Sequence, residues 1–184
     1  MTKNKAHKAE TYHFQAAERI LVDANVWLFL YPPAGAPTSE WSHDYSSIYK
    51  RLLEAKAKPV IDTLVISEYL NRYFRLEYNG GWREYYRDFK EFRKTRDFAN
   101  LASDAVEEIR EILKIASLLD TPLTALNVDN LLEPTAAGKL DFNDAVLVSC
   151  CREYGCKLLT NDEDCSTGGI EVITALPALI RACN

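Results

Sequence analysis

Carboxylate side chains recur in this sequence directly after predicted strands or at the starts of predicted helices. The first is Asp23, which ends the apolar run 20–22. The others lie much later in the chain and are Glu68, Asp141, Asp144, Asp162 and Asp164. The carboxyl ends of parallel strands meet at one edge of a sheet, so these acids are predicted to lie together there. Carboxylates that share an edge repel one another unless a cation lies between them, and Mg²⁺ or Mn²⁺ suits oxygen donors of this kind.

These acids also have purely structural interpretations, which the sequence leaves open. Asp23 could cap the helix that follows it, a position at which aspartate is favoured. Glu68 could form an ion pair with Arg72, four residues later on the same predicted helix, although the apolar neighbours of Glu68 make a free carboxylate costly. Asp141 and Asp144 have nearly the spacing of a helix capping box.

The last two acids, Asp162 and Asp164, could form turns in which a carboxylate accepts a hydrogen bond from the nearby backbone. A capping role remains compatible with metal ligation, because a carboxylate held at a helix start stays ionised. Each acid alone is a weak signal. Their joint placement at one edge of a sheet is the observation that favours a metal site.

Apolar periodicity, proline and glycine predict strands that alternate with helices. Strands are predicted over 20–23, 59–61, 123–128, 156–160 and 171–174. Helices are predicted over 25–31, 42–58, 64–78, 82–95, 101–119, 129–138, 141–154 and 176–182, with Gly155 closing the seventh. Such alternation is typical of a largely parallel sheet with helices on both faces.

The length of 184 residues suits one domain with a sizeable core. Residues 1–18 are polar and are expected to form a mobile arm or a poorly anchored helix. Residues 19–184 are expected to form a single domain with a helical insertion at about 79–119. No apolar run approaches the roughly 20 residues of a membrane helix, and the N-terminus lacks the apolar core of a signal peptide. We therefore expect a cytoplasmic protein with no membrane partner.

The charge and the cysteines narrow the function classes further. A net charge of −5 argues against gross nonspecific binding to nucleic acid, although a local basic face matters more than the total. The five cysteines have no C-x-x-C spacing, so neither a structural zinc site nor a disulfide framework is expected. Most of them should be small buried apolar residues. The three histidines lie early in polar segments, which disfavours cysteine catalysis.

In order and context, four of these motifs resemble the PIN-domain family. They are residues 22–26, Glu68 within an apolar helix, residues 141–145 and residues 159–164. The resemblance extends from about Ile20 to Thr174. It implies a three-layer α/β/α sandwich around a short, mostly parallel sheet. It also implies an Mg²⁺- or Mn²⁺-dependent ribonuclease, like the toxins of VapBC-type toxin–antitoxin pairs.

The resemblance also assigns roles to individual residues. Asp23, Glu68, Asp144 and Asp162 match the catalytic, metal-binding acids of the family, and Asp164 matches a further acid that is often present. Asn25 and Thr160 match supporting residues of the family. Asp141, at the start of the predicted helix over 141–154, is expected to be a further accessory group of the metal site. The partners implied are an RNA substrate, an antitoxin protein and a second copy of the chain, since dimers are common in the family.

Residues 82–94 carry the other informative pattern. At helical spacing, the basic residues Arg83, Arg87, Lys90 and Lys94 form one stripe, and aromatic residues form another. An ordinary amphipathic helix with a buried aromatic face would explain both stripes. The functional alternative is that the basic stripe contacts an RNA backbone, or that the aromatics form a partner surface.

Other functions remain as alternatives. A HAD-type phosphatase would have a second aspartate two positions after the first, and Asn25 occupies that position. A non-catalytic PIN-like scaffold that binds RNA or protein would not need the nearly complete set of acids. A dinucleotide-binding module would show G-x-G-x-x-G after the first strand, and this sequence does not.

Overall fold

A parallel six-stranded sheet lies at the centre of the part of the chain that the structure describes, residues 2–120 and 127–184 of a computed structural model. The strands are β1 (Lys5–Lys8), β2 (Arg19–Val22), β3 (Lys58–Ile61), β4 (Ser117–Leu118), β5 (Lys157–Leu159) and β6 (Glu171–Thr174). Their spatial order is β1-β6-β5-β2-β3-β4, and every neighbouring pair is parallel. The predicted α/β class with a largely parallel sheet is confirmed.

Eight helices within the same residues complete the α/β/α sandwich. They are α1 (Ala24–Leu30), α2 (Trp41–Glu54), α3 (Thr63–Gly80), α4 (Phe89–Phe92), α5 (Arg96–Ile115), α6 (Val128–Ala136), α7 (Phe142–Tyr154) and α8 (Pro177–Cys183). No helix in the described ranges combines the length and the apolar character needed to cross a membrane.

The central strand β2 is apolar on both faces because helices cover the sheet on both sides. Ile20, Leu21 and Val22 are fully buried. The backbone of Leu21 is in register with Val60 on one side and Leu158 on the other. The residues that follow β2 and β5 therefore emerge side by side at the carboxyl edge of the sheet, where the candidate site lies.

Local capping interactions fix where the helices beside this edge begin. Asp23 caps α1, Asp62 caps α3 and Asp141 caps α7. Gly155 ends α7 with φ of 62°, in the left-handed region that glycine adopts without strain. The predicted caps at Asp23 and Asp141 and the predicted stop at Gly155 are confirmed.

The N-terminal segment departs from the prediction of a mobile arm or poorly anchored helix. Residues Lys5–Lys8 form the edge strand β1, paired in parallel with β6. Asn4 is buried and anchors the segment: its Nδ2 donates to the carbonyl of Cys165 at 2.9 Å, and its Oδ1 accepts from the amide of Ile170 at 3.0 Å. Backbone pairing needs no apolar side chains, which is why a polar sequence concealed this strand.

The predicted helix over 82–95 is also wrong as a single element. A 3₁₀ turn at Trp82–Glu84 is separated from the four-residue helix α4. Asp88 caps α4, so a new helix starts where the pattern predicted continuity. Thr95 caps α5, which begins at Arg96 rather than at the predicted residue 101. Trp82, Tyr86 and Phe89 nevertheless pack against the fully buried Phe92, as a structural role requires. Tyr85 departs from this pattern, because it is 76% exposed.

Three further expectations have mixed outcomes. Residues 123–126 of the predicted strand over 123–128 lie outside the described residues. Val128, the last residue of that predicted strand, is the first residue of α6. All five cysteines are buried, whereas burial was predicted for most of them, and each is a free thiol. The single domain over residues 19–184 with a helical insertion at about 79–119 stays a prediction. Only the expected arm over residues 1–18 is corrected, by strand β1.

Candidate metal-binding site

Asp23 lies at the carboxyl end of the central strand, with 5% of its surface exposed. Its Oδ1 accepts a hydrogen bond from the backbone amide of Ala24 at 2.6 Å. Its Oδ2 accepts from the Asn25 amide at 2.7 Å and from the Thr160 hydroxyl at 2.6 Å. The carboxylate is thus held in one orientation by groups on two neighbouring strand ends.

Thr160 and Asn25 extend this network to the loop after β5. Thr160 Oγ1 accepts from the backbone amide of Asp162 at 3.1 Å, and Asn25 Oδ1 accepts from the amide of Asn161 at 3.1 Å. Asn25 and Thr160, two of the three predicted accessory residues, therefore position the loop that carries Asp162. The hydrogen-bond groups of Asn25 are occupied by this supporting role.

Tyr45 on α2 supports the same loop and was not predicted from the sequence. Its hydroxyl lies 2.9 Å from the carbonyl of Thr160 and 3.0 Å from Oδ1 of Asn161. Burial raises the pKa of Tyr45 to about 12. The helical spacing of Tyr45 indicated a core position, and nothing in the pattern indicated a polar contact for its hydroxyl.

Glu68 lies about one and a half turns into α3. Two roles were considered for it, an ion pair with Arg72 and metal ligation. Its Oε1 is 3.3 Å from a guanidinium nitrogen of Arg72, so the predicted ion pair is present. Its side chain is 28% exposed, and that of Arg72 is 47% exposed. The negative charge of Glu68 also raises the pKa values of Asp23 and Asp144, which places it within electrostatic range of both.

Asp144 is brought to the site by the cap of α7. Asp141 Oδ1 accepts from the backbone amide of Asp144 at 2.9 Å, and this contact fixes the first helical turn. Burial raises the pKa of Asp144 to about 8, and the charges of Asp141, Asp162, Asp23 and Glu68 contribute to the rise in that order. Asp144 is thus surrounded by like charges.

Asp23 shows the same electrostatic conflict to a smaller degree. Burial raises the pKa of Asp23 to about 6, the hydrogen bond from Thr160 opposes that rise, and Glu68 and Asp162 add to it. Within residues 2–120 and 127–184, neither Asp23 nor Asp144 has an ion pair with a basic side chain. The edge of the sheet therefore carries excess negative charge that a cation would relieve.

Asp162 and Asp164 follow β5 in a turn. Asp162 Oδ1 accepts from the backbone amide of Asp164 at 3.0 Å, which confirms the turn interpretation for Asp162. Asp164 is exposed and lines a separate surface depression together with Asp141. The charge of Asp162 raises the pKa values of Asp23 and Asp144, so Asp162 lies within electrostatic range of both.

The donor set has the chemistry that a hard divalent cation requires. It consists of carboxylates, two of them with raised pKa values and no basic partner among the described residues. As the side chains lie, no three acids, histidines or cysteines in the described ranges converge closely enough to ligate one ion. Asp23, Glu68, Asp144 and Asp162 have the oxygen donors that such a cation prefers, and their role as its ligands stays a prediction.

The basic residues of 82–94 do not form a continuous helical stripe, because that helix is broken. Arg83, Arg87, Lys90 and Lys94 are all exposed, and Arg87 lies 3.5 Å from Asp88. Their contact with RNA stays a prediction.

Comparison with models of known protein families assigns the chain to a family. The family model described as PIN domain matches residues 20–168. The chain belongs to the PIN domain family. PIN domains are generally nucleases that use divalent metals, so the carboxylate edge described above lies in a fold that commonly carries that chemistry. The resemblance expected from the sequence is confirmed.

Solved structures of similar fold extend this comparison. A chain from the crystal structure of VapBC2 from Rickettsia felis, bound to a DNA fragment from their promoter, aligns with a TM-score of 0.52 and 12% identity; the alignment covers 84% of this PIN domain chain and 98% of that chain. The crystal structure of PAE2754 from Pyrobaculum aerophilum aligns with a TM-score of 0.48 and 20% identity, over 90% of this chain and 96% of that chain. A comparison with curated proteins found no match. At 12% identity the likeness to the VapBC2 chain shows the fold alone.

Proposed function

We propose that the protein is an endoribonuclease that hydrolyses RNA phosphodiester bonds with Mg²⁺ or Mn²⁺. The observation that carries the proposal is the group of acids around Asp144, whose burial and mutual repulsion raise the pKa of Asp144 to about 8. A site that only caps helices needs one carboxylate at each helix start. Four carboxylates within electrostatic range of Asp144 are better explained by a bound cation.

In this proposal Asp23 and Asp144 are the central metal ligands, and Glu68 and Asp162 complete the set. A bound divalent cation would supply neutralisation of the phosphate oxygens, activation of a water and stabilisation of the leaving oxygen. Asp164 is a further acid at the rim.

The remaining residues hold these acids in place. Thr160 and Asn25 hold Asp23 Oδ2 in one orientation, while Asp141 fixes the helical turn that carries Asp144. Support of this kind fixes the orientation of ligating groups. An aspartyl-phosphate phosphatase is disfavoured, because the Asn25 side chain has a fully structural role.

The proposed function is tested by incubating the purified protein with RNA, DNA and a phosphomonoester in Mg²⁺, in Mn²⁺ and in EDTA. We expect RNA cleavage that EDTA abolishes, and loss of cleavage in Asp23→Asn and in Asp144→Asn. Asp104→Asn, which changes an exposed acid on α5, is the matched control and should retain activity. Circular dichroism should show that all three variants fold.

Three results would contradict this proposal. Undiminished Mg²⁺-dependent cleavage in both site variants would remove the assigned residues from the reaction. Turnover of the phosphomonoester alone would favour a phosphatase, and no turnover of any substrate would favour a binding scaffold.

We also propose that an antitoxin protein restrains this nuclease. The Rickettsia felis structure of similar fold is named for a VapBC2 pair, which supports the toxin assignment by analogy. Co-expression with the product of a neighbouring gene, followed by co-purification and loss of RNA cleavage, tests it. The same purification reports whether the chain forms a dimer with a second copy.

A further inference from the structure

A small groove lies beside the carboxylate edge, between α1, the loop over residues 32–39 and the surface of α3. Its volume is about 170 Å³. Its walls are mainly apolar and include Leu28, Phe29, Pro33 and Leu76. Leu76 is 37% exposed, so an apolar side chain on α3 faces solvent at this groove. None of the described residues that line it is acidic, in contrast to the edge next to it.

Two residues connect the groove directly to the carboxylate edge. Asn25 lines the groove and donates from Nδ2 to Asp23 at 2.7 Å. Arg72 also lines it and lies 3.3 Å from Glu68. A molecule seated in the groove would therefore lie next to the proposed metal ligands.

Arg72 gives this end of the groove a positive charge. Its guanidinium has no other hydrogen bond with the described residues besides the one to Glu68. Arginine carries five N–H donors, so most of them remain for an anionic group such as a phosphate oxygen. The groove thus pairs an apolar pocket with one cation at its boundary.

We propose that this groove binds one nucleobase of the substrate strand, next to the scissile phosphodiester, and that Arg72 contacts a phosphate of the same nucleotide. The proposal rests on the ribonuclease function proposed above. An apolar pocket with an aromatic wall suits the flat face of a base, and the cation suits the adjoining phosphate. A stable protein partner covers about 800 Å² on each side, far more than this groove offers.

The base contact is tested by binding, in EDTA, of short fluorescent oligoribonucleotides in which single positions are made abasic. One abasic position should weaken binding about 5- to 150-fold, the range for loss of a stacked base. In Leu76→Ser that penalty should shrink. In Leu113→Ser, which changes a similarly exposed leucine on α5, the penalty should equal that of the wild type.

The phosphate contact is tested by the salt dependence of the same binding. Removal of one phosphate contact should reduce the slope of log affinity against log salt concentration by about 0.7 in Arg72→Gln. Arg110→Gln is the matched control, since Arg110 is an exposed helical arginine paired with Glu107. Its slope should equal that of the wild type.

Two results would overturn the groove assignment. One is an abasic penalty that is absent at every position or unchanged in Leu76→Ser. The other is displacement of a bound apolar peptide without any abasic penalty, which would assign the groove to a protein partner. RNA cleavage in Mn²⁺ is measured in parallel. If the wild type cleaves RNA but no abasic position weakens binding, only the assignment of the groove to a base is rejected. If the wild type does not cleave RNA, the proposed nuclease function is rejected.

Discussion

Thr160 donates a hydrogen bond from Oγ1 to Oδ2 of Asp23 across 2.6 Å, although 137 residues separate the two in the chain. The contact exists because β5 and β2 are neighbours, with Val22 in register with Leu159. It ties the loop after β5 to the first acid of the site. The hydroxyl also lowers the pKa of Asp23, against the larger effect of burial.

Replacing Thr160 tests that contact. Thr160→Val should raise the pKa of Asp23 above about 6, because the hydrogen bond that favours the carboxylate is removed. It should also lower the free energy of unfolding by about 1–3 kcal/mol, because buried polar groups lose their partner. Thr160→Ser keeps the hydroxyl and is the control. NMR titration of the Asp23 carboxyl and urea unfolding measure the two effects, and equal behaviour of both variants would contradict the assignment.

Asp144 should make the metal-free protein less stable as pH rises. Folding raises its pKa from 3.8 to about 8, so the folded state binds its proton more tightly than the unfolded state does. The stability of the folded state therefore falls between those two pH values and stays low above pH 8. After allowance for solvent screening, we expect a difference on the order of 2 kcal/mol between the two ends.

Asp144→Asn removes that titration and should flatten this part of the pH profile. Added Mn²⁺ should restore stability to the wild type at pH 8 and have little effect on the variant. Thermal unfolding in EDTA and in Mn²⁺, across pH 4 to 8, gives both results. The same decline with pH in Asp144→Asn as in the wild type would assign it to another group.

The sequence predicts the local structure around these acids well wherever short-range rules apply. An apolar run ending in Asp23 and a cap at Asp141 are local signals, and a parallel sheet brings their elements together. The pairing of Glu68 with Arg72 was an alternative to a site role, and the ion pair is present in the structure, whereas the site role stays a prediction. The four-residue spacing of Glu68 and Arg72 on one helix predicts the ion pair. That spacing gives no information on whether Glu68 also ligates a metal.

Two elements could not be predicted, for different physical reasons. Strand β1 is held by backbone pairing and by Asn4, and neither leaves a hydrophobic pattern. The segment over 82–95 has helical periodicity, but the cap at Asp88 divides it. Periodicity reports which side chains share a face, whereas capping decides where helices start.

Gly80 and Gly81 form a matched pair at the end of α3. A Cβ on Gly80 would lie 2.2 Å from the carbonyl oxygen of Gly35, whereas one on Gly81 would meet no atom within 4 Å. Alanine is favoured over glycine in a helix by about 0.5–1 kcal/mol, but a clash with backbone costs about 1–3 kcal/mol. Gly80→Ala should therefore destabilise the protein and Gly81→Ala should not.

Urea unfolding of the two glycine variants measures that difference. Because Gly35 belongs to the loop that borders the groove, Gly80→Ala should also weaken oligoribonucleotide binding. Equal stability of the two variants would mean that the loop can move away from α3 without cost.

The four exposed cations of the broken segment test the RNA contact that the sequence suggested. Neutralising them together should lower RNA affinity and reduce its salt dependence by about 0.7 for each phosphate that they bind. The residues are Arg83, Arg87, Lys90 and Lys94. The control neutralises four other exposed cations, which are Lys50, Lys56, Arg110 and Lys114. Equal salt dependence in the two quadruple variants would exclude a special role for the segment.

Lys157 should be a stabilising residue that lies away from the acidic edge. Its Nζ is 2.9 Å from Oε1 of Glu18, 3.1 Å from Oε2 of Glu171 and 2.6 Å from the Tyr12 hydroxyl. The Lys157 and Glu18 side chains are only 24% and 12% exposed. Lys157→Met should lower the free energy of unfolding by about 1.5–3 kcal/mol, the range for hydrogen bonds to charged groups.

Lys50→Met is the control, because Lys50 lies 3.9 Å from Glu54 and both side chains are mostly exposed, so the loss should be below about 0.5 kcal/mol. The pH dependence adds a second test. Burial would raise the pKa of Glu18, but the hydrogen bonds from Lys157, Tyr12 and the backbone together outweigh it and the pKa is lowered. The contribution of Glu18 is thus complete above pH 4.5 and is lost as pH falls through the lowered pKa. The stability gap between Lys157→Met and the wild type should therefore narrow in acid, and a gap that stays constant below pH 4 would contradict the ion pair.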